Sequence, residues 1–202
     1  MKTAKKLLCL ILVLVMALGL VQMASAAGID DFPDGDLVEN REEFGLLLEL
    51  GIFYGFEDGT LGQGRNITRA QAAAIITRLL VGNTLANIYE QSRVDTGFSD
   101  VRATHWASGL IKFCVDRGII YGYGNGRFGP SDPVTIPQFA IMLMRALGLA
   151  KEGEFTGASY IYDAIVAGAK YGILTGSGDF TAVATRDQVG LFAFNALTVG
   201  AE

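Results

Sequence analysis

Apolar residues recur three and four positions apart in three stretches of the chain, which is the spacing of one face of an α-helix. Each stretch follows a Thr-x-x-Gln sequence, at Thr68–Gln71, Thr135–Gln138 and Thr185–Gln188. Such a sequence predicts a capping box, in which the threonine hydroxyl accepts a bond from an amide of the first helical turn and the glutamine bonds back to the threonine amide. The pattern therefore predicts three capped, amphipathic helices.

A second helical segment precedes each capped helix. The apolar pattern places these segments at about Leu37–Leu50, Trp106–Arg117 and Tyr160–Tyr171. A glycine follows each one, and glycine suits the left-handed conformation that ends many helices. These glycines are Gly51, Gly118 and Gly172.

The chain is thus an internal repeat of helix, Gly-rich loop and helix. Gly51–Gly59 is echoed by Gly118–Gly126, and the glycine-to-threonine loop spans 17 positions in the first two units and 13 in the third. One hairpin of this size cannot bury its own apolar faces, so the three must pack together. We expect an all-α fold with three hairpins about a pseudo-threefold axis and a central bundle formed by the capped helices or their neighbours. The predicted repeats span about 32–82, 98–149 and 155–200, with polar connectors near 83–97 and 151–158.

The N-terminus predicts export. Lysines precede an apolar run at 7–21 and small residues end at Ala26, which together predict a signal peptide at 1–26. Without it the chain carries 13 basic and 21 acidic residues, a formal charge of −8, which disfavours nucleic acid as a partner. Cys9 leaves with the signal, so Cys114 alone remains and neither an internal disulfide nor a cysteine-based zinc site can form.

The repeats resemble the S-layer homology (SLH) domain, whose units read Phe-x-Asp-Val, Trp-Ala, Gly-Ile, Gly-Tyr-x-Asp-Gly-x-Phe-x-Pro and Ile-Thr-Arg-Ala-Glu. The middle repeat is most similar, with Phe98–Val101, His105–Ala107 and Gly118–Pro130. The first repeat has Ile67–Gln71, but Glu39 stands where the tryptophan would be, and the third lacks the Phe-x-Asp opening. The resemblance implies an SLH-type bundle that anchors an exported bacterial protein non-covalently on secondary cell-wall polysaccharide, often pyruvylated, in grooves between repeats.

Arginines directly follow two of the capping threonines. Arg69 and Arg186 therefore occupy the first helical position, beside amides that lack a partner within the helix, where an anion is favoured. A guanidinium can bind a carboxylate through two parallel hydrogen bonds, whereas the alternative is a solvated arginine in the first turn. Ile136 holds this position in the second repeat, which predicts that this copy binds no anion. The predicted contributors beside the two arginines are Thr68, Gln71 and Thr185.

The loops supply further candidates for binding a sugar. Glycines let the backbone approach a ligand closely, and aromatic faces stack on pyranose rings. Packing in the core is the alternative for each aromatic residue, and for Trp106 it is the favoured one. The candidate ligand-binding residues are Gly55, Phe56, Asp58, Gly59, Asp100, Trp106 and Tyr123.

Two other functions fit the same sequence. An adaptor whose degenerate repeats bind another surface protein is the first, and a glycan hydrolase using paired carboxylates is the second. No carboxylate stands in a context that would clearly raise its pKa, and His105 is the only histidine, so we expect a binding protein and not an enzyme. We expect no metal and no cofactor, and a location at the bacterial cell wall or surface. The carboxylates open to the hydrolase hypothesis are Glu42, Glu43, Glu57, Asp58 and Asp100.

Overall fold

The computed structural model describes residues 28–199. The predicted signal peptide lies outside them. Two short 3-10 turns, Ile29–Asp31 and Gly35–Leu37, come before six α-helices. These are α1 Arg41–Glu49, α2 Arg69–Gln91, α3 Ser108–Asp116, α4 Ile136–Ala146, α5 Tyr160–Lys170 and α6 Arg186–Val199.

The described part of the chain is all-α, as predicted, with isolated backbone bridges and no strands. Two boundaries differ from the sequence prediction. Helix α1 begins at Arg41 and not near Leu37, because a 3-10 turn occupies the residues before it. Helix α2 breaks at Gly82, where φ is +75°, and then continues through residues predicted as a connector to Gln91, since Ala86 is buried and Tyr89 packs against the core.

The three capped helices α2, α4 and α6 contact one another at the centre, which is one of the two arrangements that the sequence left open. Each also packs against the first helix of the following repeat: α2 against α3, α4 against α5, and α6 against α1. The last of these contacts returns from the third repeat to the first. The repeats therefore form a closed ring, which gives the fold its pseudo-threefold symmetry.

A triangle of backbone hydrogen bonds joins the residues just before the capped helices. Ile67 N donates to Ala184 O at 3.1 Å, Ala184 N to Val134 O at 2.8 Å, and Val134 N to Ile67 O at 2.9 Å. All three side chains are fully buried. This triangle fixes the starts of the three capped helices at one end of the bundle.

Helix α2 is long and apolar enough to cross a membrane by length and composition alone. Its first half is instead buried in the bundle, with Ala72, Ala73 and Ile76 inaccessible to solvent. Cys114 of α3 packs against it and is also fully buried, as expected for an apolar filler.

Candidate functional site

All three predicted capping boxes form. Thr68 Oγ1 accepts from Gln71 N at 3.3 Å, and Gln71 Oε1 accepts from Thr68 N at 2.9 Å. The other two Thr-x-x-Gln sequences make the same reciprocal pair. The threonine and glutamine side chains are thus occupied by capping their own helices. The residue after each threonine lies at the junction with the next repeat.

The amides of the first helical turn are not free for an anion. Arg69 N donates to Asp132 O at 2.9 Å, Ala70 N to Pro130 O at 3.1 Å, and Arg186 N to Arg65 O at 2.9 Å. The prediction that these amides bind an anion is therefore wrong, because loop carbonyls of the neighbouring repeat already accept from them. Any anion site must use the arginine side chains.

The side chain of Arg186 enters the loop of the first repeat. Its Nη2 donates to the carbonyl oxygen of Tyr54, and its guanidinium carbon lies 4.8 Å from the ring centroid of Phe53 and 4.7 Å from that of Phe56. Only 6% of the residue is exposed, yet its Nε has no acceptor. Within residues 28–199, no carboxylate oxygen lies within 4.0 Å of its nitrogens.

This setting is unfavourable for a cation. Burial, together with the positive charges of Arg78 and Arg65, lowers the pKa of Arg186 to about 10 against a smaller opposite effect of Asp34. A buried charge without a counter-ion costs free energy that a bound anion would recover. Arg186 is therefore a buried cation without a counter-ion among residues 28–199.

Arg186 lines a groove of about 160 Å³ between the repeats, which we call the first groove. Its wall includes Tyr54 and Phe56 of the first loop, Gln71 and Arg78 of α2, and Trp106 from the start of the second repeat. Trp106 is 42% exposed, so its interpretation as a core residue is wrong. The groove thus combines an unpaired guanidinium with exposed aromatic surface.

Among the groove residues that sequence reasoning missed, two carry polar groups, Tyr54 and Arg78. The Arg78 guanidinium carbon lies 4.8 Å from the Tyr54 ring centroid, and Arg78 Nη2 pairs with Glu90 at 2.8 Å. The same stacking recurs 67 positions later between Arg145 and Tyr121, also at 4.8 Å. Their recurrence at the repeat offset was the signal that could have identified them.

Arg69 enters the loop of the second repeat in the same way but is better compensated. Its Nε donates to Phe128 O at 2.8 Å and its Nη2 to Tyr121 O at 2.6 Å. Burial lowers its pKa, while Tyr123 and the negative charges of Asp132 and Asp100 raise it. Arg69 therefore holds the second loop and has no orphaned Nε.

The first residue of each capped helix thus bonds to the loop of the next repeat. Ile136, which replaces the arginine in α4, is buried, and its backbone N donates to Ala182 O of the third repeat at 2.9 Å. The missing charge therefore concerns the contact with the third loop, and the absence of anion binding by the second repeat stays a prediction. Asn195 takes the place of Arg78 there and donates to Ile173 O at 3.0 Å.

The aspartates of the Phe-x-Asp openings act within the protein. Asp100 accepts from Phe128 N and Gly129 N, both at 2.8 Å, and Asp34 accepts from Leu61 N and Gly62 N, both at 2.7 Å. Partial burial opposes ionisation, but these amide bonds outweigh it and lower the pKa of both carboxyls. Each aspartate clamps its loop.

The other loop candidates fall into two groups. Asp58 accepts from Thr60 and pairs with Arg65, and these bonds lower its pKa to about 2. Gly55 is packed, since a Cβ there would lie 2.3 Å from the ring of Phe32, whereas the surface beside Gly59 is open. Of the candidates, Gly55, Phe56, Gln71, Trp106 and Arg186 line the first groove, and the others named above lie outside its lining.

The carboxylates considered for hydrolysis do not suit a general acid. Asp58 and Asp100 have lowered pKa values, whereas a general acid at neutral pH needs a raised one. Glu42 and Glu57 are exposed.

Comparison with known proteins gives the same family as the sequence pattern. A family model described as the S-layer homology domain matches residues 31–73 and 97–135. "Cell surface glycoprotein 1" of Acetivibrio thermocellus is 36% identical over 100 residues, 50% of this chain and 4% of that protein. A "Cell surface protein" of Thermoanaerobacter kivui is 28% identical over 148 residues, 73% of this chain and 19% of that protein.

A third relative is named as an enzyme. The "Endoglucanase" of Bacillus sp. strain KSM-635 is 35% identical over 130 residues, 60% of this chain but 14% of that protein. The chain spans less than a fifth of each of these relatives. The expected location at the bacterial cell wall or surface is confirmed by the family and its surface proteins.

Proposed function

We propose that this chain, which is S-layer homology sequence in residues 31–73 and 97–135, is held at the cell surface by binding secondary cell-wall polysaccharide in its first groove. The observation that carries the proposal is Arg186, a buried guanidinium whose Nε has no acceptor and which lies in the wall of an open groove. A glycan carboxylate, as in a pyruvate ketal or a uronic acid, supplies both the missing acceptor and the missing charge.

The rest of the groove suits a sugar that carries such a carboxylate. Trp106 offers a partly exposed aromatic face on which a pyranose ring can stack, and Gln71 lines the same wall. The whole chain is acidic, so general attraction does not draw an anion to it. Selectivity therefore comes from the local pairing of carboxylate and Arg186, and the role is binding without catalysis.

The test is sedimentation of the mature protein with purified wall sacculi, intact or stripped of their secondary polymer. The variants are Arg186→Gln, which removes the charge, and Trp106→Ala, which removes the exposed ring. Arg127→Gln is the matched control, because the Arg127 side chain is 60% exposed in a loop outside the first groove. Circular dichroism establishes that each variant is folded.

We expect polymer-dependent binding by wild type and Arg127→Gln, and binding at least about tenfold weaker for Arg186→Gln, which corresponds to about 1.4 kcal/mol. Mild acid removes pyruvate ketals from the sacculi. If a ketal supplies the carboxylate, wild type should no longer bind the treated sacculi. A folded Arg186→Gln that binds as well as wild type would refute the anion mechanism. A wild type that ignores sacculi would refute the anchor and favour the adaptor.

A further inference from the structure

The contact between the third and first repeats closes the ring, and we call this contact the seam. Helix α6 packs on α1 so closely that a Cβ at Gly190 would lie 2.6 Å from the ring of Phe44. Asn40 Nδ2 donates to Asp187 Oδ2 at 3.0 Å, and Asp187 N donates to Gln63 O at 3.2 Å. The seam is the least extensive of the three contacts between a capped helix and the next repeat.

The seam holds a buried acid that the equivalent contacts lack. Asp187 is the second residue of α6, where α2 has Ala70 and α4 has Pro137, both buried and uncharged. Asp187 is only 9% exposed, and its Oδ1 has no hydrogen-bond partner. Both polar side-chain atoms of Gln63, a buried residue, are also unpartnered. The ionised carboxylate is therefore poorly accommodated.

The charges around Asp187 do not compensate it. Burial raises the pKa of Asp187, and the negative charge of Glu39, just before α1, adds to this. The side-chain bond from Asn40 and the backbone N–H groups of Glu39 and Asn40 act in the opposite direction but do not outweigh burial. Arg41 of α1 turns away to Asp30 and Gly35 O. Arg186, its neighbour on α6, directs its guanidinium to Tyr54 O. Among the described residues, the charged group that acts on the carboxylate from across the seam is Glu39, which is also an acid.

We infer that Asp187 is a proton-sensitive latch: its protonation tightens the seam, and a glycan carboxylate on Arg186 tightens the same seam from the first groove. The second half of this inference rests on the proposed function. A group that binds its proton more tightly in the closed state stabilises that state below the ordinary pKa of an aspartic acid, about 4, and loses this effect as pH rises through the raised value. The latch is therefore strongest in acid.

The groove and the latch are coupled because Arg186 comes from α6, whereas the rest of the groove lining comes from the first two repeats. Opening the seam withdraws Arg186 from the groove. A ligand that needs Arg186 binds only the closed form, so its apparent affinity scales with the closed fraction, and the ligand in turn favours closure.

The test is hydrogen exchange of the Arg186 amide, whose bond to Arg65 O crosses the seam. Protection is measured at about pH 4 and about pH 7.5, corrected for the intrinsic rate, in wild type, Asp187→Asn and Asp187→Ala. Alanine is the residue that the first repeat has at this position, so the second variant guards against misfolding of the first. Asp36→Asn, at an exposed aspartate, is the control.

We expect protection about tenfold higher at the lower pH in wild type and Asp36→Asn, and no such excess in either Asp187 variant. The same excess at the lower pH in all four proteins, or no excess in wild type, would overturn the latch. Secondary polymer released from sacculi, added at about pH 7.5, should raise protection in wild type. Binding without added protection would overturn the coupling, whereas no binding at all would count against the proposed function and leave the pH comparison to decide the latch.

Discussion

The clamp made by Asp100 gives a sharp test of how the loops are built. Its carboxylate accepts two backbone N–H groups at 2.8 Å each, one per oxygen. In Asp100→Asn one oxygen becomes an NH2 group that faces an N–H donor, so one charge-assisted bond is lost and the other becomes neutral. Bonds of this kind contribute about 1.5–3 kcal/mol, and we expect a loss of about 3 kcal/mol. For a chain of this size that lowers Tm by about 6–12 °C.

The assay is thermal and urea unfolding at neutral pH, with Asp116→Asn as the control. Asp116 pairs with Lys112 on the surface, and its loss should change the free energy of unfolding by less than about 0.5 kcal/mol. Because the pKa of Asp100 is lowered in the folded state, its stabilisation is present above about pH 4 and lost as pH falls through the folded value. Asp100→Asn should lack that acid-dependent loss. Equal stability of the variant and wild type at neutral pH would refute the clamp.

Two further predictions concern the packing of the second repeat. Gly122→Ala should destabilise the fold by about 1–3 kcal/mol, because its Cβ would lie 2.4 Å from the ring of Phe98 and 2.7 Å from the carbonyl oxygen of Arg127. Gly64→Ala is the control and should be nearly neutral, because the space beside Gly64 is open. Equal urea midpoints of the two variants would contradict this prediction. Cys114 should not react with a disulfide reagent at pH 8 until urea unfolds the chain, because burial raises its pKa to about 12, and prompt reaction of the native protein would contradict that burial.

The three repeat junctions are chemically unequal although their backbones are alike. At the first junction the buried cation is Arg186, whose Nε has no acceptor. At the second the buried cation is Arg69, whose guanidinium donates to two carbonyl oxygens. The third junction has the uncharged Ile136 at this position. A repeat protein can diverge in this way because the shared backbone triangle, and not the side chains at these positions, sets the geometry. One junction can therefore be specialised for an anion.

The sequence alone determined the features that depend on neighbours a few positions away. The three capping boxes join residues three apart, and the glycines that end the first helices have φ values of +65°, +65° and +71° at Gly51, Gly118 and Gly172. Apolar spacing then identified the capped helices that pack at the centre. The break at Gly82 was missed because the polar residues after it read as a connector.

Only the tertiary structure decided what the capped arginines contact. Arg69 bonds to a loop carbonyl 52 residues away and Arg186 to one 132 residues away, so spacing near the helix could not reveal that each arginine serves the next repeat. The same holds for Asp187, which reads as an ordinary first-turn acid until Asn40, 147 residues away, is packed on it. Helix caps and helix faces depend on local backbone geometry. The partner and the charge state of a buried side chain depend on contacts between repeats that are distant in sequence.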